Sequence, residues 1–218
     1  MNNLQRILVA GEGGQGIQTL AKTLATAGYL AGNKISFVPN YGIEQRGGVL
    51  LAFVQISDTE IGFPKFGYAD ILVILAERAI ERVKEYITKD TVVIYDETLV
   101  TSLVIPAEAG TQKSGVRLTE ELAKVKNLPH ETIAIPALKS AEETMTGKVM
   151  NMVVLGFLAN MIGGLSLQVI TQTVNERLKD KYEKNPELKH FNERALEIGM
   201  REIPKSLWMK GRKKGISV

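Results

Sequence analysis

The stretch Arg6-Ile7-Leu8-Val9-Ala10-Gly11-Glu12-Gly13-Gly14-Gln15-Gly16-Ile17 decides the fold class. An apolar run runs straight into glycines. A helical repeat follows, with Ile17, Leu20, Ala21, Leu24, Ala27, Gly28 and Ala31 on one stripe. The pattern predicts a buried strand, a tight turn and a helix over roughly 15–31. Gly32-Asn33 ends that helix, because both residues accept the left-handed conformation of a C-terminus. A second strand is expected over Ile35–Val38, stopped by Pro39. The two strands should run parallel, joined by a right-handed crossover.

Val49–Ile56 reads as a third strand. No crossover helix fits before it, so an antiparallel strand in a mixed sheet is expected. Ser57-Asp58-Thr59-Glu60 reads as a turn. Further strands are expected at Ile71–Leu75, Thr91–Tyr95 and Glu131–Ile135. A helix between the first two of these would turn Ile80, Val83 and Ile87 inward, with Glu81, Arg82, Lys84 and Glu85 outward. Thr119 with Glu120 and Glu121 reads as a helix start. From 137 onward the pattern is helical: an apolar block at Asn151–Ile162, a stripe of Leu167, Ile170, Val174 and Leu178, and a start signal at Asn185-Pro186. The expected architecture is α/β: a three-layer α/β/α open, mixed sheet with a helical C-terminal part. One domain over 1–200 and a basic tail over 201–218 account for the chain.

The chain has 218 residues, 44% hydrophobic and 23% charged, an ordinary globular balance. A net charge of +3 is too small to imply nucleic-acid binding. The basic excess sits in the tail, at Arg201, Lys205, Lys210, Arg212, Lys213 and Lys214. That tail is either a solvated terminus or a dock for an acidic subunit, with Trp208 as anchor. No cysteine is present, so this chain holds no disulfide and no thiolate-ligated iron–sulfur cluster. His130 and His190 lie far apart without metal-ligand spacing, so no metal site is expected. The start of the chain lacks signal-peptide character. The apolar stretch 152–165 is too short to span a bilayer. A cytoplasmic protein without a membrane role is the expectation.

Gly11, Gly13 and Gly16 fit the G-x-G-x-x-G spacing between a strand and a helix. Free N–H groups at such a helix start point at an anion, which also places Gly14 and Gln15 in the candidate site. A dinucleotide site needs an Asp or Glu at the end of the second strand for the ribose. Residues 17–43 contain neither, and Glu12 would add negative charge beside a pyrophosphate. A bare structural turn and an anion or partner contact both remain open. The second glycine segment, Tyr41-Gly42-Ile43-Glu44-Gln45-Arg46-Gly47-Gly48, is rarer. Glu44 and Arg46 would form a charge-assisted pair that fixes the loop, or Arg46 would face a carboxylate or phosphate.

Together these segments resemble the gamma subunit, or gamma domain, of the 2-oxoacid:ferredoxin oxidoreductases. The matching residues are Gly11–Ile17 and Tyr41–Gly48. Ser57-Asp58 with Ile61 and Pro64 follow, then Ala69-Asp70, and last Lys148, Asn151 and Gly156. The resemblance covers about 6–200. It implies oxidative decarboxylation of a 2-oxoacid to acyl-CoA, with electrons passed to ferredoxin. Thiamine diphosphate and iron–sulfur clusters would sit on partners: a thiamine-diphosphate-binding beta subunit, an alpha subunit, and a ferredoxin-like cluster subunit or ferredoxin. This chain alone would bind no cofactor and be inert. The catalytic groups would lie on partner subunits. The two glycine segments would face coenzyme A or a neighbouring subunit, and an isolated chain could self-associate through its assembly face. Tyr41-Gly42 with Ser57-Asp58 and Ile61…Pro64 leans toward 2-oxoglutarate, pyruvate or branched-chain types over the indolepyruvate type. The rival readings are an NAD(P)-binding Rossmann-like reductase and a nucleotide-sensing module.

Overall fold

The computed structural model describes residues 4–40, 48–101 and 131–202. Six strands form one mixed sheet in the order β2-β3-β1-β4-β5-β6. They are β1 Gln5–Glu12, β2 Lys34–Asn40, β3 Val49–Ser57, β4 Ile71–Ile74, β5 Val92–Asp96 and β6 Glu131–Ile135. β1, β4, β5 and β6 are parallel neighbours. β3 pairs antiparallel with both β1 and β2 along its length. The expected mixed sheet is present.

The expected crossover unit needs one correction. β1 and β2 do point the same way, but β3 lies between them. β2–β3 is a sequence-local antiparallel pair that inserts its second strand beside β1. The second strand also runs past its expected stop. Pro39 lies inside β2, opposite Ala52. β2 is an edge strand, and an edge can hold a proline whose missing N–H would have faced outward.

Strand alternation divides the core in two. One face, with Ile7, Val9, Ala52, Val54, Val73, Ile94 and Ile133, packs under the long helices. These are α1 Ile17–Leu30, α3 Ala137–Thr144, α4 Met150–Ile162, α5 Leu167–Arg177 and α7 Glu187–Glu197. The other face, with Leu8, Ala10, Phe53, Leu72, Ile74 and Val93, packs on Ala69, Ala79, Ile80 and Val83. The helix expected after β4 is broken there. A 3₁₀ turn Glu77–Ala79, the single α turn α2 Ile80–Val83 and a second 3₁₀ turn Lys84–Tyr86 replace it. Ile80, Val83 and Ile87 are nonetheless buried as expected.

α4 is buried from Met150 to Ala159, which explains its unbroken apolar block. α7 crosses it at backbone contact distance. A Cβ at Gly156 would overlap the Leu196 carbonyl, and one at Gly199 would overlap the Val153 carbonyl. Gly199 lies in a π turn, Ile198–Glu202, that continues α7. Short α6 Lys179–Lys184 links α5 to α7. The start expected at Thr119, His130, Trp208 and the tail from 203 lie outside the described residues. His190 is on the exposed side of α7.

Candidate functional site

The carboxyl ends of β1, β4, β5 and β6 share one edge of the sheet, and β3 starts at that edge because it runs the other way. Open α/β sheets place their sites there. The first glycine segment and Gly48, the described residue of the second, belong to this edge. The first leaves β1, and the second is flanked by Asn40, the last residue of β2, and Gly48, just before β3. They touch: the Gly13 N–H donates to the Gly48 carbonyl at 3.1 Å. Gly11 is still paired in β1, opposite Leu50. Tyr41, Gly42, Glu44, Arg46 and Gly47 lie outside the described residues.

Gln15 holds the first turn together. Its Oε1 accepts from the Glu12 N–H at 2.7 Å, and its Nε2 donates to the Leu75 carbonyl at 2.6 Å. The side chain is therefore engaged within the turn, and its role is to tie the turn to the end of β4. Gly14 faces open space. Gly16 is the N-cap of α1 in the left-handed conformation, φ +75°, which favours glycine. No side chain caps α1, and its first turn carries no acidic residue. The first intrahelical bond runs from Leu20 N–H to the Gly16 carbonyl. The N–H groups before it are the orphan donors of a helix start, at the positive end of the macrodipole.

Three contacts escaped the sequence. First, Glu12 does not leave the turn negative. Arg78 Nη1 lies 3.5 Å from its carboxylate. Arg78 lies four residues past the end of β4, in the 3₁₀ turn Glu77–Ala79, so its position after a parallel strand was the available signal. Second, Arg82 is exposed as expected, and its Nη1 also donates to the Val49 carbonyl at 3.4 Å. Third, Asn151, in the first turn of α4, packs its amide against Gly16. A Cβ there would overlap Asn151 Nδ2. Asn151 is 8% exposed. Among the described residues its amide has no hydrogen-bond partner. Gln18, one residue into α1, donates to the Leu51 carbonyl at 3.2 Å, while its Oε1 is buried without a partner.

Nearby carboxylates act as fasteners. Buried Asp96 accepts from the Thr98, Leu99 and Leu138 N–H groups, tying the end of β5 to the start of α3. Glu77 accepts from the Thr101 N–H and hydroxyl, tying the loop after β4 to the loop after β5. The edge is thus a rigid frame around an uncapped helix start. It can hold a phosphate or another acceptor-rich group. It does not form the dinucleotide crevice, because β3 fills the place beside β1 where a Rossmann second strand would lie.

Residues 6–202 match the family model described as pyruvate ferredoxin/flavodoxin oxidoreductase. The chain belongs to that family. Within it, this chain is of the gamma-subunit or gamma-domain type. It is 31% identical over 151 residues to the ketoisovalerate oxidoreductase subunit VorA of Methanothermobacter marburgensis, covering 69% of this chain and 27% of that one. It is 26% identical to the pyruvate synthase subunit PorC of Methanocaldococcus jannaschii, covering 89% of this chain and 94% of that one. Among solved structures it resembles a 2-oxoglutarate:ferredoxin oxidoreductase from Magnetococcus marinus with 2-oxoglutarate, coenzyme A and succinyl-CoA bound. The TM-score is 0.69 at 22% identity, over 95% of this chain and 31% of that one. The chain therefore spans about a third or less of VorA and of the Magnetococcus polypeptide, and nearly all of PorC. The oxidoreductase family has gamma-type units both as separate chains and as parts of longer ones.

Proposed function

We propose that this chain is the gamma subunit of a complex that oxidatively decarboxylates a 2-oxoacid to acyl-CoA and passes the electrons to ferredoxin. The family match over residues 6–202 carries the reading. The composition supports a division of labour: with no cysteine, thiolate-bound clusters belong on other chains. Thiamine diphosphate belongs with a beta subunit, and an alpha subunit and a cluster subunit or ferredoxin complete the set. The assembly works in the cytoplasm.

In this reading the glycine edge faces coenzyme A or the neighbouring subunit. The fit to a phosphate of coenzyme A rests on the uncapped start of α1, the neutralisation of Glu12 by Arg78, and the unpaired amide of Asn151. Coenzyme A would bring the thiol that receives the acyl group. This chain's part would be to bind and orient the phosphate end. The substrate is 2-oxoglutarate, pyruvate or a branched-chain oxoacid. Relatives named for ketoisovalerate, pyruvate and 2-oxoglutarate all share this unit, which supports placing the choice on another subunit.

The test is anaerobic isolation of the tagged chain from its native cell, with mass spectrometry of co-purifying proteins. Partners carrying thiamine diphosphate and iron–sulfur clusters are expected, and oxoacid-dependent dye reduction then names the substrate. A chain isolated alone at native abundance refutes the proposal.

A further inference from the structure

We propose that the free edge of β2 is a docking surface for a second copy of this chain, with the two β2 strands paired antiparallel into one continuous sheet. Neither the catalytic reading nor a ligand at the glycine edge enters it.

Hydrogen-bond parity across the sheet shows which groups the edge offers. The Arg6 and Ala10 carbonyls accept from the Asp70 and Leu75 N–H groups, so even-numbered residues of β1 bond toward β4 and odd ones toward β3. The register then turns Leu51, Phe53, Gln55 and Ser57 of β3 toward β2, onto Asn40, Val38, Ser36 and Lys34. The main chains of Ile35, Phe37 and Pro39 therefore face outward. Among the described residues no group hydrogen-bonds to them. The edge presents two donors, the Ile35 and Phe37 N–H groups. It presents three acceptors, because Pro39 keeps its carbonyl but has no N–H.

A second copy meets that pattern without help. When the seven residues of β2 pair end to end, Phe37 lies opposite Phe37, and Ile35 opposite Pro39. Each Phe37 N–H then donates to the other Phe37 carbonyl, and each Ile35 N–H to the Pro39 carbonyl of the second copy. All four donors are used. The contact is self-complementary, as a twofold interface requires. Lys34 faces Asn40 of the second copy, so no like charges are opposed. Lysine and proline usually guard an edge against pairing, but in this register each has a compatible neighbour.

The side chains agree. Ile35, Phe37 and Val38 are only half-buried, whereas every apolar residue of β3 except Leu50 is buried. Pairing encloses Phe37 beside Phe37 and Ile35 beside Pro39. The end of α1 packs on Ile35 through Gly28 and leaves Tyr29 and Leu30 69% and 53% exposed. A groove whose lining includes Tyr29, Lys34, Ile35, Ile61 and Pro64 flanks the start of β2, where Asn40 of the second copy arrives. Antiparallel pairing turns the two glycine edges to opposite sides, so both stay open.

The experiment uses the full chain, which has no cysteine of its own. Sedimentation should give twice the mass of one chain, dissociating on dilution. In hydrogen exchange read by NMR, the Ile35 and Phe37 amides should be protected in the dimer and lose that protection on dilution. Ser36 and Val38, bonded to β3, should keep theirs. Ser36→Cys and Val38→Cys chains, mixed and mildly oxidised, should form a mixed disulfide, because the two positions face each other with Cα atoms about 4.5 Å apart. Neither variant should cross-link alone, since like positions lie on a diagonal of about 7–8 Å. Asn40→Lys should weaken the dimer by about fivefold or more and Asn40→Glu should not, because only the lysine repels Lys34 of the second copy.

Three results overturn the proposal. A chain that stays monomeric at every concentration has no such contact. A dimer whose Ile35 and Phe37 amides exchange as fast as in the monomer pairs through another face. Protection of those amides only when other subunits are added assigns the edge to a different protein. The exchange readout needs no variant, so misfolding of a mutant cannot hide the answer.

Discussion

Gly16 is constrained twice, by its positive φ and by the Asn151 amide beside it. A left-handed conformation costs a non-glycine residue about 1–2 kcal/mol, and the overlap adds to that. Gly16→Ala is expected to lose about 2 kcal/mol or more in urea unfolding. The pair Gly16→Ala with Asn151→Ala should recover the steric share, which a double-mutant cycle reads directly. At the opposite edge of the sheet, Asp70 Oδ2 accepts from the Arg6 N–H at 2.7 Å and faces Arg6 Nη1 at 3.3 Å. Burial nevertheless outweighs the hydrogen bond and the charge of Arg6, and holds the Asp70 carboxyl above its ordinary value of 3.8. Its protonated form is therefore favoured by folding. That contribution is complete below pH 3.8 and is lost as pH rises through the raised folded value. Between those limits the wild type should gain stability on acidification relative to Asp70→Asn, and parallel unfolding curves check it. The glycine turn itself was legible from spacing alone. The Arg78–Glu12 pair and the Asn151–Gly16 contact were not, because each forms only through tertiary folding, across 66 and 135 positions of sequence.

Strands were the easiest elements to read, since apolar runs and alternation mark them locally. Their order was harder. Hydrophobic periodicity predicted β1, α1 and β2, yet nothing in it shows that β3 slides between the two strands. The available hint was the short link to Val49, which forces an antiparallel return. Pro39 misled for a related reason: a proline stops a central strand but not an edge. The crossing of α4 with α7 depends on two backbones touching where Gly156 and Gly199 lack side chains. Gly199→Ala drives a methyl into the Val153 carbonyl, with the Phe157 N at 2.8 Å. Backbone cannot yield as a flexible side chain would. We expect about 3 kcal/mol of destabilisation, at the upper end for overpacking, measured by chemical denaturation. Gly14→Ala provides the contrast. That site is open and carries only the conformational strain of φ +102°, so its loss should be the smaller.

In the assembled enzyme, the proposed role makes this chain a contributor to a shared site. Arg46→Ala distinguishes the two readings of the second glycine segment. A complex that assembles with a raised KM for coenzyme A, and little change in kcat, places Arg46 at the ligand. Failure to assemble favours the Glu44–Arg46 pair as a loop brace. An assembled complex with unchanged KM for coenzyme A and for the oxoacid removes a site role for Arg46. The family was legible because its marks are ordered glycines and charges in loops, whose chemistry is local. The substrate was not, because relatives named for three oxoacids share this unit.

The burial of α4 also sets a clock inside the molecule. Its amide protons, from the second turn onward, are hydrogen-bonded within a helix whose residues are shielded from water through Ala159. Solvent deuterium can reach them only when the helices around α4 separate. Their exchange rate therefore reports opening of the whole domain, while orphan amides at the start of α1 exchange without it. A bound phosphate would slow the second set and leave the first to follow global stability, so a single exchange experiment separates occupancy of the edge from stabilisation of the fold.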